Sequence, residues 1–160
     1  MKRALLLLSI ASLMMLCVSS LHATVTYKLS YNTATQVYTV SFNSTVAYSG
    51  AFARIFPSTQ FTIVVPDPDG SGAGAFTVTN LTSLTALNWG VTQLNSPSEN
   101  PTKDYLFFAP SNAGTYAPFN ISANTDIDLF SFKSAVQCSG GPLYLYDNIT
   151  DPLNSNLMIN

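Results

Sequence analysis

The sequence predicts an all-β chain, a single sandwich of about eight to ten antiparallel strands. Three observations carry that expectation. Apolar residues alternate with Ser and Thr, the period of a strand with one dry and one wet face. Clusters of Asn, Asp, Gly and Pro separate these runs at uneven intervals, which suits a sandwich better than a simple barrel. Past residue 23 no stretch carries a convincing helical stripe, Glu occurs once, and β-branched residues abound.

The first segment is not part of that fold. Residues 1–23 read as a secretory signal: Lys2 and Arg3, then an apolar run from Ala4 to Val18. That run is shorter than the ~20 residues a spanning helix needs. Leu21-His22-Ala23 and Val18-Ser19-Ser20 both suit cleavage, and alternation starting at Thr24 favours a cut after Ala23. Leu16 is too large for a lipoprotein signal using Cys17. The expected mature domain is 24–160, extracellular or periplasmic, with no membrane span after cleavage.

Thr24 to Tyr31 is the first strand, with Val25, Tyr27, Leu29 and Tyr31 as its expected dry face. Asn32-Thr33-Ala34-Thr35 turns the chain into a second strand, Gln36 to Asn43, and the two should form a hairpin. Phe61, Ile63 and Val65 mark a strand that Pro66 ends. Phe76 and Val78 mark the next, and Leu87, Trp89 and Val91 another, with Trp89 expected in the core. Asp104 to Ala109 is nearly all apolar and suits a central position. Ile127 to Lys133 changes phase between Leu129 and Phe130, the mark of a bulge. Gly140-Gly141-Pro142 breaks the chain before Leu143 to Tyr146, and Leu157-Met158-Ile159 is expected as a last edge strand.

Composition excludes several functions. Charged residues are 9% of the chain, with a formal net charge of −2. Once 1–23 is removed, Lys28, Arg54, Lys103 and Lys133 face eight acidic residues, giving −4. No basic patch exists for nucleic acid. A 47% hydrophobic content argues against disorder. The one histidine, His22, lies in the targeting segment, so chemistry needing a His base or His-bound zinc is not expected. Cys138 becomes the lone mature thiol, which excludes an intramolecular disulfide and leaves a buried thiol or an intermolecular bridge.

Few residues invite a chemical role. Asp67 and Asp69, in Pro66-Asp67-Pro68-Asp69-Gly70-Ser71-Gly72, are the candidates for calcium. Pro68 stiffens that loop and no bidentate Glu follows, so a plain turn is favoured and no cofactor is expected. Asp147-Asn148-Ile149-Thr150-Asp151-Pro152 reads as a turn. Glu99 is the one glutamate, in an exposed loop with no partner carboxylate in view, and a glycosidase needs two. No Gly-x-Ser-x-Gly or Ser-x-x-Lys pattern occurs, so no enzyme is expected. Sequons at Asn43, Asn80, Asn120 and Asn148 are about as many as chance gives. Tyr144 and Tyr146 share one face and Leu143 and Leu145 the other; if the leucines are core, the tyrosines form an aromatic strip, the ligand-binding candidate.

Leu129-Phe130-Ser131-Phe132-Lys133, followed by Cys138, Gly140-Gly141, Leu145 and Asp151-Pro152, resembles the closing strands of cohesin-like modules, relatives of carbohydrate-binding-module sandwiches. Ser98-Glu99-Asn100-Pro101 with Asp104-Tyr105 is similar to secreted bacterial modules of this type. The resemblance implies a jelly-roll-like sandwich, an extracellular setting and binding in place of catalysis. It carries no binding residue over, and the N-terminal hairpin departs from the cohesin pattern. The expected function is therefore a secreted, non-catalytic binding or adhesion module for a glycan or a surface protein. The alternatives are a self-assembling extracellular subunit pairing through an edge strand and, less favoured, a polysaccharide-active enzyme.

Overall fold

The computed structural model describes residues 24–49, 59–67, 76–111, 120–135 and 142–154. The targeting segment, Asp69, Cys138 and the Leu157–Ile159 run lie outside the described residues.

Eight strands form among the described residues: β1 (Val25–Asn32), β2 (Val37–Ser44), β3 (Phe61–Pro66), β4 (Val78–Ser83), β5 (Trp89–Leu94), β6 (Lys103–Pro110), β7 (Ile127–Ser134) and β8 (Tyr144–Leu145). They make two antiparallel four-stranded sheets, β1-β2-β7-β4 and β5-β6-β3-β8. The sheets meet along their edges, β4 beside β5 at one side and β1 beside β8 at the other. The all-β sandwich expected from alternation is the observed fold.

Local chemistry explains the joints. Asn32 Oδ1 accepts hydrogen bonds from the N–H groups of Ala34 (3.0 Å) and Thr35 (3.1 Å), closing the β1–β2 turn. The turn ends on Gln36 at φ 57°, in the left-handed region. A side chain there costs about 1–2 kcal/mol. Gln36→Gly should therefore raise stability, by about 0.5 kcal/mol after the extra entropy of glycine in the unfolded chain is subtracted. A higher urea midpoint at unchanged slope would register the gain.

The bulge expected at Leu129–Phe130 is present. Val40 pairs with Phe130 but Ser41 pairs with Asp128, so Leu129 is the extra residue. Both Leu129 and Phe130 are fully buried, which a regular strand would not allow. A second irregularity lies in β4 between Thr79 and Thr82, with Asn80 at φ 50°.

The core between the sheets is aromatic. Phe130 stacks on Phe108 (centroids 4.8 Å), packs against Trp89 (4.7 Å) and meets Phe61 edge-on (6.0 Å). Phe132 stacks on Tyr38 (5.2 Å) and packs against Phe108 (5.0 Å). Trp89 is buried as expected. A second, smaller cluster lies on the far side of the β5-β6-β3-β8 sheet, where Val64, Tyr105 and Leu153 are buried together.

One expectation is corrected. The face of β1 carrying Val25, Tyr27, Leu29 and Tyr31 is only partly dry: Leu29 packs against the core, but Val25 and Tyr27 are 43% exposed and Tyr31 is 48% exposed. β1 is an outer strand, and β8, its neighbour in the opposite sheet, has only two residues. Alternation was correct, but most of the facing surface that would dry this row is not supplied by β8.

Candidate functional site

The short β8 leaves a cleft at the open edge of the sandwich. Tyr144 pairs with Val64 and Leu145 with Ile63, and the Tyr146 N–H continues the ladder to the Thr62 carbonyl at 2.9 Å. Leu145 therefore points inward with Ile63, while Tyr144 and Tyr146 point outward. Beyond this, β1 runs along the other lip. The space between measures about 560 Å³, within the ~300–1,000 Å³ range of small-ligand sites.

Three aromatic residues line it: Tyr27 from β1, Phe61 from β3, which is itself buried in the core, and Tyr146 after β8. Tyr27 meets Phe61 edge-on at 5.0 Å, which holds the Tyr27 ring against the inner wall while leaving part of it open. Polar groups interleave with them: Gln60, Thr59, Thr62 and Asn148. Gln60 Nε2 lies 3.4 Å from Thr62 Oγ1. None of the described lining side chains carries a charge. Burial pushes the Tyr27 and Tyr146 phenols up, so both stay neutral well past neutral pH. Two smaller hollows lie along the same face of β1, about 110 Å³ beside Val25 and Tyr48 and about 120 Å³ beside Leu29 and Tyr31.

The candidate tyrosines part company here. Leu143 is buried and Leu145 packs on the core, so the premise of the aromatic strip is met. Tyr146 is half-buried: it lines the cleft, and its ring packs 6.3 Å from Tyr105. Its hydroxyl is buried and meets no hydrogen-bond partner. Tyr144 is 41% exposed and lies outside the cleft lining, with Lys103 Nζ 5.8 Å from its ring centroid. Tyr27, which the sequence assigned to a dry face, is the residue that reading missed. Its signal was the position of an aromatic ring on the first strand, the place where an edge is common.

The acidic residues fall elsewhere. Asp67, one residue past β3, and Asp104, in β6, are fully buried at one end of the sandwich, both following the inward alternation of the strand they extend or belong to. Ser96 bridges them: its Oγ donates to Asp67 Oδ2 and its N–H donates to Asp104 Oδ1 at 3.0 Å. Gln93 Nε2 donates to Asp104 Oδ2 at 3.2 Å. Burial holds the Asp104 carboxyl above the ordinary carboxylate range; the Ser96 N–H partly opposes this and the charge of Asp67 adds to it. Among the described residues no group of three or more His, Cys, Asp or Glu is placed to hold a metal ion. Glu99 is exposed, and a hydrogen bond from Ser98 Oγ holds its carboxyl below the usual range, the wrong direction for a general acid. Asp126 takes the one ion pair among the described residues, with Lys28 at 3.2 Å, and also accepts from Asn43 Nδ2 at 2.9 Å.

Comparison of the chain with family models, curated proteins and solved structures finds no match.

Proposed function

We propose that this chain is a secreted, non-catalytic binding module, a cohesin-like or carbohydrate-binding sandwich that recognises a neutral glycan in the cleft between β1 and β8. The observation that carries the reading is the composition of that cleft. Sugars present apolar C–H faces flanked by hydroxyls, and a matching site offers aromatic rings for the faces and uncharged amides and hydroxyls for the rims. Tyr27 and Tyr146, backed by the buried Phe61, with Gln60, Thr62 and Asn148 supply that combination in one space. No carboxylate lines it among the described residues, which favours binding over hydrolysis. Secretion rests on residues 1–23. The alternative of strand-edge assembly through Leu157 and Ile159 concerns residues outside those described.

An array of neutral oligosaccharides followed by calorimetry tests the proposal. Tyr27→Ala and Tyr146→Ala should each weaken binding about tenfold, the scale of one lost aromatic contact. Tyr146→Phe should bind like the wild type, because its hydroxyl is buried away from the cleft surface. Tyr144→Ala should also bind normally. With no charged side chain among the described lining residues, affinity should be flat between pH 5 and pH 9 and insensitive to salt, to an order of magnitude. An array without hits, or binding that survives both alanine substitutions, would sink the reading.

A further inference from the structure

One wall of the cleft is carried by a segment with little secondary structure of its own. Residues 146–154 leave β8 and cross the outer surface of the β5-β6-β3-β8 sheet. What holds them there is a chain of hydrogen bonds that ends in the interior. Asn100 Nδ2 donates to the Tyr105 hydroxyl at 2.7 Å. That hydroxyl donates to Asp151 Oδ1 at 2.9 Å, and the Leu153 N–H donates to the same oxygen at 3.0 Å. Tyr105 and Leu153 are fully buried, and Asp151 nearly so. Hydrogen bonds to a carboxylate are about twice as strong as neutral ones, and here water scarcely competes.

The turn before Asp151 is stiff. Asp147 Oδ1 accepts from the Ile149 N–H at 2.9 Å, and its Oδ2 accepts from Thr150 Oγ1 at 2.8 Å. The Asp151 N–H donates to the Asp147 carbonyl at 3.0 Å. Tyr146 is tied to Thr62 at one end and Asp151 to Tyr105 at the other, with Asn148 between them on the cleft wall.

We infer that Asn100, Tyr105 and Asp151 form a clasp that fixes the wall of the cleft, making Tyr105 and Asp151 positioning residues for Tyr146 and Asn148. The inference rests on the glycan reading only for what fills the cleft. The clasp works from behind the sheet, and it meets the cleft lining where the Tyr105 ring packs on Tyr146, a contact that Tyr105→Phe keeps.

Amide exchange of the full chain, with no sugar added, tests the clasp. Tyr105→Phe keeps the buried ring and removes only the hydroxyl. It should speed exchange at Ile149, Thr150, Asp151 and Leu153 by tenfold or more, with Ile63 and Leu106 in the strands beneath changing several-fold less. Asp151→Asn keeps an oxygen that accepts from both the Tyr105 hydroxyl and the Leu153 N–H but loses the charge that strengthens those bonds, and should fall between the wild type and Tyr105→Phe. Asp151→Ala should match Tyr105→Phe. The neutral oligosaccharide selected on the array should then bind about tenfold more weakly to Tyr105→Phe, with Asp151→Asn weakened less, in step with its exchange. Unchanged exchange at 149–153 in Tyr105→Phe overturns the clasp. Faster exchange with unchanged affinity overturns its positioning role. A wild-type protein that binds no glycan removes the ligand reading, and the exchange data still decide the clasp.

Discussion

Phe130→Ala should destabilise the domain by about 3–5 kcal/mol, the range for removing a buried aromatic side chain from a packed core. The residue is the centre of the aromatic cluster. Its ring stacks on Phe108, packs on Trp89, and meets Phe61 and Phe132. No single neighbour can fill the space, because those rings come from β3, β5, β6 and β7 and each is held by its own backbone pairing. Phe130 also sits at the bulge, where its inward direction depends on Leu129 being looped out of register. Phe130→Leu should cost clearly less, because it keeps more of the buried volume. Whole domains of ordinary size have only ~5–15 kcal/mol in hand. The alanine variant should therefore show a sharply lower urea midpoint, or fail to fold at physiological temperature. A loss below about 1 kcal/mol would mean that the cluster does not carry the core.

What the sequence made legible was local. The period of two along Tyr38-Val40-Phe42 and Leu106-Phe108 is a property of consecutive residues, and so are the Asn32 turn and the phase change at Leu129. Burial of β1 was not local. Its dry face required a partner strand in the other sheet, and β8 proves too short to provide it. The cleft is the other side of that misreading, since Tyr27 is available because β1 is uncovered. Tyr105 was hidden for a similar reason. Alternation places it on the outer face, where exposure is the default, and only the distant 146–154 segment buries it. Asp104 did carry a signal. It occupies the same inward alternation as Leu106 and Phe108, where a carboxylate is anomalous. The count of nearly all-apolar residues in that strand obscured it.

That anomaly leads to the second large effect, a dependence of stability on acid. Asp104 and Asp67 are both buried, and Ser96 donates to each. Two carboxylates in one dry place resist being ionised together. The Asp104 carboxyl is raised in the folded state above its unfolded value of about 3.9. The fold thus favours the neutral acid. Its contribution to stability is complete below the unfolded value and is lost as pH rises through the folded one. At neutral pH the domain carries the cost of a buried charge, reduced by the donors at Ser96 and Gln93. Asp104→Asn removes that cost. Its Oδ1 still accepts from the Ser96 N–H, and a flipped Gln93 amide can accept from the new Nδ2. The variant should be more stable than the wild type at pH 7 by on the order of 1 kcal/mol, or about 4 °C in melting temperature. The difference should shrink toward pH 3, where Asp104 of the wild type is already neutral. Ser96→Ala should act in the opposite direction, costing about 1–3 kcal/mol at pH 7 by removing a donor from a buried carboxylate. Ser96→Gly separates the hydroxyl from the backbone. Ser96 sits at φ 39°, which glycine accepts freely, so part of the loss should return. Urea titrations of these three variants from pH 3 to pH 8 decide the matter. An Asp104→Asn variant that is less stable at pH 7, with the deficit constant across the range, would show that the carboxylate contributes through its hydrogen bonds and not against its charge.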